Sequence, residues 1–198
     1  MTKSSPRIKF DSLNNKTKII LSVLFLFLIF LCFFIVYQYK TNRQDTKTLQ
    51  SKIDNLILQN KYEEALEELQ NLKETESTKE FICSRKGRIY FLKKDFDKAL
   101  DSYKKCEEIF DSKKEASKKS YYLNLMGNSY REKREPKKAI LYYNKAVEIN
   151  PKNQTAWVNL VNIYIISGER SDALKTVKMA LEKIPNDPAL LKLLEKLE

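Results

Sequence analysis

Residues 120–187 contain one 34-residue pattern twice: residues 120–153 read SYYLNLMGNSYREKREPKKAILYYNKAVEINPKN, and residues 154–187 read QTAWVNLVNIYIISGERSDALKTVKMALEKIPND. Large apolar residues recur at helical spacing within each copy, which predicts two amphipathic helices. A break between the two helices is expected near Glu135-Pro136 in the first copy and near Gly168 in the second. Each copy is therefore predicted to form a helical hairpin.

The equivalent positions of the two copies carry a family resemblance. They hold Leu123, Met126, Gly127, Tyr130, Ala139, Tyr143, Ala146 and Pro151 in the first copy and Trp157, Leu160, Val161, Tyr164, Ala173, Val177, Ala180 and Pro185 in the second. This order of residues at this period resembles the tetratricopeptide repeat family. The resemblance implies an all-α solenoid of stacked helical hairpins. The small residues, such as Gly127, are expected where neighbouring helix backbones come close.

The same frame extends beyond the two copies. Residues 80–113 fit it well, residues 46–79 fit it more loosely, and residues 114–119 form an insertion. Asn186-Asp187-Pro188 predicts a cap and the start of a last helix. The predicted tetratricopeptide repeat domain covers residues 46–198, with units at 46–79, 80–113, 120–153 and 154–187 and a capping helix at 188–198.

An uncharged apolar segment of 19 residues, from Ile19 to Tyr37, precedes the repeats. As a helix rising about 1.5 Å per residue it spans about 28 Å, which approximates the hydrocarbon thickness of a bilayer. A cleaved signal peptide or a lipoprotein site at Cys32 would need small residues before the cut, and a buried soluble helix fits poorly with basic flanks on both sides. We therefore predict a basic tail at 1–18, a transmembrane signal anchor at 19–39 and a linker at 40–45.

The orientation of this predicted single-pass anchor follows from its flanks. Lys and Arg are nearly as frequent after the apolar segment as before it, so the positive-inside bias is slight. The short basic tail is expected to stay in the cytoplasm, which in a bacterium places the repeats outside the inner membrane. The alternative resembles organelle import receptors, whose anchored repeats face the cytosol.

The composition argues against catalysis. The chain has no histidine and only three glycines. Histidine-based nucleophile systems and glycine-rich phosphate loops are therefore excluded. We predict that the protein is not an enzyme and has no cofactor, no metal site and no small-molecule substrate.

Three cysteines do not make a disulfide framework. Cys83 and Cys106 fall at core positions of one hairpin, where buried thiols acting as small hydrophobes are the preferred interpretation. A disulfide between them is possible only if their Cα atoms approach within about 7 Å.

The net charge of +11 is concentrated in the membrane flanks and in the middle of the repeats. Two basic clusters stand out, Lys113, Lys114, Lys118 and Lys119 around the insertion and Arg131, Lys133, Arg134, Lys137 and Lys138 at a hairpin turn. Solvated helix ends explain such clusters most simply, and a binder of acidic lipid or nucleic acid is the alternative. No nucleic-acid reader motif accompanies the charge, so no nucleic-acid partner is expected.

The family resemblance implies a binding site in the concave groove formed by the first helices of the hairpins. The positions that usually face this groove hold Arg85, Arg88, Tyr121, Asn124, Asn128, Arg131, Asn159 and Asn162. Asparagine amides can pair with the backbone of an extended peptide, and arginines can bind carboxylates through two N–H groups. The Lys and Asn set with which some family members clamp a terminal carboxylate is not reproduced. The predicted function is a membrane-tethered scaffold or an assembly or chaperone factor that binds a peptide or protein, with secretion or envelope assembly as the expected process.

Overall fold

The computed structural model describes residues 14–111 and 113–198, without the side chains of residues 41–43. These residues form nine α-helices and no strand, which confirms the all-α prediction. The helices are α1 (Asn15–Leu58), α2 (Tyr62–Asn71), α3 (Lys79–Leu92), α4 (Phe96–Glu108), α5 (Ala116–Glu132), α6 (Pro136–Ile149), α7 (Gln154–Ile166), α8 (Arg170–Lys183) and α9 (Pro188–Leu197).

The chain divides into two compact units, Met1–Lys52 and Ile53–Glu198. Helix α1 contains no glycine or proline, and Asn14 accepts a hydrogen bond from the backbone N–H of Thr17 at its start. Residues 40–45, expected to be a linker, are helical within α1, because nothing in their sequence breaks the helix. Residues 1–13 of the predicted basic tail lie outside the described residues. The other domain boundaries stay predictions.

The apolar part of α1 is exposed on all sides. Its large side chains from Ile19 to Tyr39 are between 40% and 77% exposed. Within the described residues, α1 is the one helix long and apolar enough to cross a membrane, and none of its most apolar window is buried. None of this apolar window is packed against other described residues.

The unit Ile53–Glu198 is built from consecutive helical hairpins. We call α3–α4 hairpin 2, α5–α6 hairpin 3 and α7–α8 hairpin 4; the end of α1, from Ile53, and α2 precede them as hairpin 1. Ala99, Ala139 and Ala173 occupy the same place in hairpins 2, 3 and 4, and all three are fully buried. Helix α9 packs against α8, where Leu190 is fully buried. The predicted capping helix is therefore present.

The glycine of the repeat makes room for a tyrosine ring in the same hairpin. A Cβ atom on Gly127 would lie 2.5 Å from Cε1 of Tyr143, and a Cβ atom on Gly87 would collide with Tyr103 in the same way. The expectation that two helix backbones meet at Gly127 is therefore replaced by a glycine–tyrosine contact. Hairpin 4 solves the same packing problem with two medium-sized residues, Val161 and Val177, both fully buried.

Replacing the Gly127–Tyr143 pair of hairpin 3 by the two valines found in hairpin 4 tests this contact. We expect Gly127→Val to destabilise hairpin 3 by about 1–3 kcal/mol, because the new side chain overlaps the buried ring of Tyr143. The double variant Gly127→Val/Tyr143→Val copies hairpin 4 and should recover at least about 1 kcal/mol relative to the sum of the single changes. Urea unfolding of the four proteins measures this coupling, and strictly additive effects would contradict the contact.

The turn inside each hairpin uses a residue in the left-handed region. Asn60, Lys94, Arg134 and Gly168 have φ values between 59° and 78° at equivalent repeat positions. In hairpin 2, the N–H of Asp95 then bonds to the carbonyl of Tyr90, which closes the end of α3. Only hairpin 4 uses glycine there, so this turn is set by the repeat as a whole and not by glycine.

Side-chain caps fix where the next helices begin. Asp95 accepts a hydrogen bond from the N–H of Lys98, and Asp187 accepts from the N–H groups of Ala189 and Leu190. The cap at Asp187 was predicted from the sequence. Part of the insertion 114–119 is helical, because α5 begins at Ala116 and has 17 residues, against 14 in α3.

Candidate functional site

The predicted groove residues lie on the first helices of hairpins 2, 3 and 4, and we call the surface formed by α3, α5 and α7 the first-helix face. Arg88 and Tyr121 are exposed, and Asn124 is buried. The others are half-buried: Arg85, Asn128, Arg131, Asn159 and Asn162. Contacts within the chain separate these residues into bound and open groups.

Three asparagines form a hydrogen-bonded row across hairpins 3 and 4. The amide nitrogen of Asn159 donates to Oδ1 of Asn124 at 2.8 Å and to Oδ1 of Asn128 at 3.2 Å. The hydroxyl of Tyr143 donates to Oδ1 of Asn128 at 2.8 Å. The row therefore joins α5, α6 and α7, and two of its carbonyl oxygens are already occupied.

Burial keeps the Tyr143 hydroxyl in its donor form. The pKa of Tyr143 is raised to about 12, chiefly because the ring is removed from water. The hydroxyl is therefore protonated at physiological pH and can donate to Asn128. Sequence reasoning missed Tyr143 and its equivalent Tyr103 as site residues, since both lie on second helices; their recurrence opposite Gly127 and Gly87 was the available signal.

The amide N–H groups of Asn124, Asn128 and the nearby Asn162 remain available. In the described part of the chain, the Nδ2 atoms of Asn124 and Asn128 make no hydrogen bond, and Asn162 makes none through its side chain. No buried side-chain nitrogen or oxygen there lacks a partner, so these atoms must reach the surface. Since the oxygens of Asn124 and Asn128 are used internally, the row offers mainly donors to a ligand.

The two arginines of α3 differ in their partners. Arg85 binds Asp54 through two N–H groups, with Nε–Oδ1 2.7 Å and Nη2–Oδ2 3.1 Å, and lies over the ring of Phe81. The hydrogen bond with Asp54 raises the pKa of Arg85. Arg88 makes no ion pair within the described residues. Arg88 is therefore an open cation of the first-helix face.

The remaining predicted residue, Arg131, is paired locally. Its guanidinium lies 2.9 Å from the carboxylate of the neighbouring Glu132. Tyr121 contacts the ring of Tyr122 edge to face at 5.2 Å between centroids, and its own ring is 53% exposed. Arg131 thus offers less free charge than the sequence suggested, whereas Tyr121 offers an exposed aromatic surface.

Acidic side chains neutralise much of both basic clusters. Around the insertion, Lys118 pairs with Glu80 at 2.8 Å and Lys119 with Glu107 at 2.9 Å. At the hairpin turn, Lys133 binds Asp97 and Glu135, and Lys138 binds Glu135. Among the described residues of the two clusters, only Lys113, Lys114, Arg134 and Lys137 lack such a pair. Lys118, Lys119 and Lys133 therefore connect hairpin 3 to hairpin 2.

A cleft of about 290 Å³ lies between the second helices α4 and α6. Leu123, Met126 and Ile149 provide apolar lining, and Lys104 and Glu148 carry opposite charges at its edge. Within the described residues no group of three or more cysteines and acids could hold a metal ion. The cleft lies between second helices and is therefore separate from the first-helix face.

Two sequence profiles, both described as tetratricopeptide repeat, match residues 82–152 and 130–197, which together cover more than half of the chain. The helical repeats belong to the tetratricopeptide repeat family. This family is a non-catalytic protein-interaction fold. No curated protein matches the sequence.

Several solved structures are similar to this chain. A chain of the APC/C hetero-tetramer Cut9-Hcn1 has a TM-score of 0.53 and 18% identity, with coverages of 67% of this chain and 26% of that chain. The present chain therefore spans about a quarter of the length of that APC/C chain. The Arabidopsis OM64 TPR domain has a TM-score of 0.49 and 17% identity, with coverages of 62% and 97%. The yeast Sti1 TPR2B domain, solved in complex with pHsp70, has a TM-score of 0.49 and 21% identity, with coverages of 61% and 96%.

Proposed function

We propose that this protein is a membrane-tethered, non-enzymatic scaffold or assembly factor that binds an extended segment of a partner protein on its first-helix face. The observation that carries the proposal is the set of unpartnered asparagine N–H groups on this face. The N–H groups of Asn124, Asn128 and Asn162 reach the surface with no partner in the described part of the chain. A peptide backbone presents a carbonyl acceptor at every residue, which matches a row of donors and requires no particular side chain.

Two features support tethering with the repeats in an oxidising compartment. The apolar part of α1 is exposed all round, and burial in lipid is the favourable solution for such a helix. Cys83 and Cys106 form a disulfide, with their Cα atoms 5.6 Å apart. Disulfides persist outside the cytoplasm and are rare inside it. In a bacterium this location fits a role in secretion or envelope assembly, and it disfavours cytosolic repeats like those of import receptors.

The same contacts disfavour a binder of acidic lipid or nucleic acid. Such a surface needs several uncompensated cations close together. Glu80, Glu107 and Glu135 instead bind lysines of both basic clusters. We therefore propose a protein partner and expect neither nucleic acid nor a small-molecule substrate.

Binding on the first-helix face is tested with a captured partner. A photo-crosslinking amino acid at the exposed position 121 of the anchored protein should capture a partner protein, whose affinity is then measured for variants. We expect Arg88→Ala to weaken binding about tenfold or more and Asn162→Ala about twofold to tenfold, as for lost charged and neutral hydrogen bonds. Both side chains lack hydrogen bonds within the described residues, so their removal should leave the fold intact.

Matched controls separate binding from folding. Lys175→Ala removes an exposed cation from the second helix of hairpin 4 and should not change affinity. Asn128→Ala is a less direct probe, because it also removes the acceptor of Tyr143. Unchanged affinity for Arg88→Ala and Asn162→Ala, with intact helicity, would move the site elsewhere, with residues 113–119 as the next candidate.

Carbonate extraction, protease accessibility and thiol labelling in cells together test the tether and its orientation. The chain should stay in membranes after carbonate washing, and protease added to spheroplasts should degrade the repeats. After acid trapping and denaturation, a maleimide polymer should add once before reduction, at Cys32, and three times after it, since the chain has three cysteines. Three adducts without reduction, or repeats protected in intact spheroplasts, would place the repeats in the cytoplasm.

A further inference from the structure

Hairpins 2 and 3 place different residues at one position of the first-helix face. In hairpin 3, the hydroxyl of Tyr143 donates to Asn128 at 2.8 Å. The repeat alignment puts Tyr103 where Tyr143 stands and Arg88 where Asn128 stands, and both tyrosine rings pack on the repeat glycine. Arg88 is only a donor. Hairpin 2 therefore lacks the acceptor that the tyrosine hydroxyl has in hairpin 3.

The hydroxyl of Tyr103 has no hydrogen bond within the described residues, although the residue is only 3% exposed. No buried polar side-chain atom there is unpartnered, so the hydroxyl must lie at the small opening of its site. Burial raises the pKa of Tyr103, so its hydroxyl is protonated at physiological pH. By the correspondence with hairpin 3, this hydroxyl and the guanidinium of Arg88 belong to one position of the first-helix face.

The acid bound to α3, Asp54, and the acid on α3, Glu80, make their contacts with residues other than Arg88. Asp54 is held by both N–H groups of Arg85. Glu80 accepts hydrogen bonds from Lys118 at 2.8 Å and from the hydroxyl of Tyr122 at 3.2 Å. Each acid therefore already has its own partners. One external carboxylate could accept hydrogen bonds from Arg88 and Tyr103 together.

We propose that Arg88 and the hydroxyl of Tyr103 form an anion subsite that binds the side-chain carboxylate of an aspartate or glutamate within the bound peptide. A carboxylate can accept from a guanidinium and from hydroxyl groups at the same time. The N–H groups of Asn124 and Asn128 continue the face towards hairpin 4 and accommodate the adjoining backbone. The inference rests on the proposed function and specifies which residue the partner segment must contain.

A displayed library of random dodecapeptides tests the subsite on the full-length chain in lipid nanodiscs. The peptides are fused through their C-termini and are not phosphorylated, so any carboxylate selected is that of a side chain. We expect enrichment of aspartate or glutamate at one position, loss of this enrichment with Arg88→Gln, and its retention with Asn162→Ala. Enriched peptides without an acidic position would overturn the subsite and leave the binding face standing. No enrichment of any peptide would overturn both.

A matched pair of synthetic peptides measures the contribution of each group. The selected peptide and its glutamate-to-glutamine analogue are titrated into the full-length chain. The wild type should prefer the acidic peptide about tenfold or more, and Arg88→Gln should abolish the preference. Tyr103→Phe keeps the ring and should reduce the preference about threefold, whereas Tyr143→Phe, the same change in hairpin 3, should preserve it. Equal reductions by the two Phe variants would overturn the role of Tyr103.

Discussion

Replacing Trp157 by alanine is expected to lower the free energy of unfolding by about 3–5 kcal/mol, as for other large aromatic residues removed from a core. Trp157 is 5% exposed and belongs to the apolar core shared by hairpins 3 and 4 and α9. Its indole N–H also donates to the carbonyl of Pro151 at 2.9 Å. The change therefore removes both a ring between hairpins and the hydrogen bond that holds the connection from α6 to α7.

Chemical unfolding measures the decrease in the free energy of unfolding, and hydrogen exchange shows which helices lose protection. In a solenoid each repeat contacts only its neighbours, so protection should decrease most in α6–α9 and least in α3. Ile166→Ala is the matched control, because this large side chain lies on the same helix but is 72% exposed. It should change stability by less than about 0.5 kcal/mol. Similar effects of Trp157→Ala and Ile166→Ala would contradict the burial of the indole ring.

The hairpins could be predicted from the sequence because their determinants are local and repeat. Helical hydrogen bonds connect residues four positions apart, and the caps at Asp95 and Asp187 act within three residues. The 34-residue period then fixes which positions are equivalent. This information suffices for the all-α repeat fold, for the approximate helix ends and for the final capping helix.

The state of the site residues depends on distances between hairpins, which the sequence does not contain. The predicted asparagines were placed on one face, but the bonds of Asn159 to Asn124 and Asn128 require α5 and α7 to be adjacent. Lys133 binds Asp97 from the preceding hairpin in the same way. Counting charges along the chain therefore overestimated the free positive charge, and the open cation Arg88 could be recognised only after the other pairs were assigned.

The disulfide shows what the repeat frame could have revealed. The alignment places Cys83 and Cys106 where hairpin 3 has Leu123 and Ala146 and hairpin 4 has Trp157 and Ala180. In all three hairpins this pair of positions is buried. Opposed core positions on the two helices of one hairpin are close enough for a bond between cysteines. The preference for free thiols was wrong, because cysteine count was given more weight than this geometry.

Reduction of this disulfide is expected to lower the free energy of unfolding by about 3 kcal/mol, the loop-closure estimate for a short loop. The bonded residues are 23 positions apart in the sequence, and both sulfur atoms lie in the core of hairpin 2. The double variant Cys83→Leu/Cys106→Ala copies the residues of hairpin 3, so it keeps apolar packing but lacks the covalent bond.

Comparing these proteins with and without reductant separates the bond from the packing. The wild type should lose stability on reduction, whereas the double variant should be insensitive to reductant, because its one remaining cysteine, Cys32, is outside the hairpins. On reduction, hydrogen-exchange protection should decrease in α3 and α4 and stay unchanged in α8, which is the internal reference. If reduction leaves the wild type unchanged while labelling confirms free thiols, the bond contributes no stability, and core packing of hairpin 2 alone holds its two helices together.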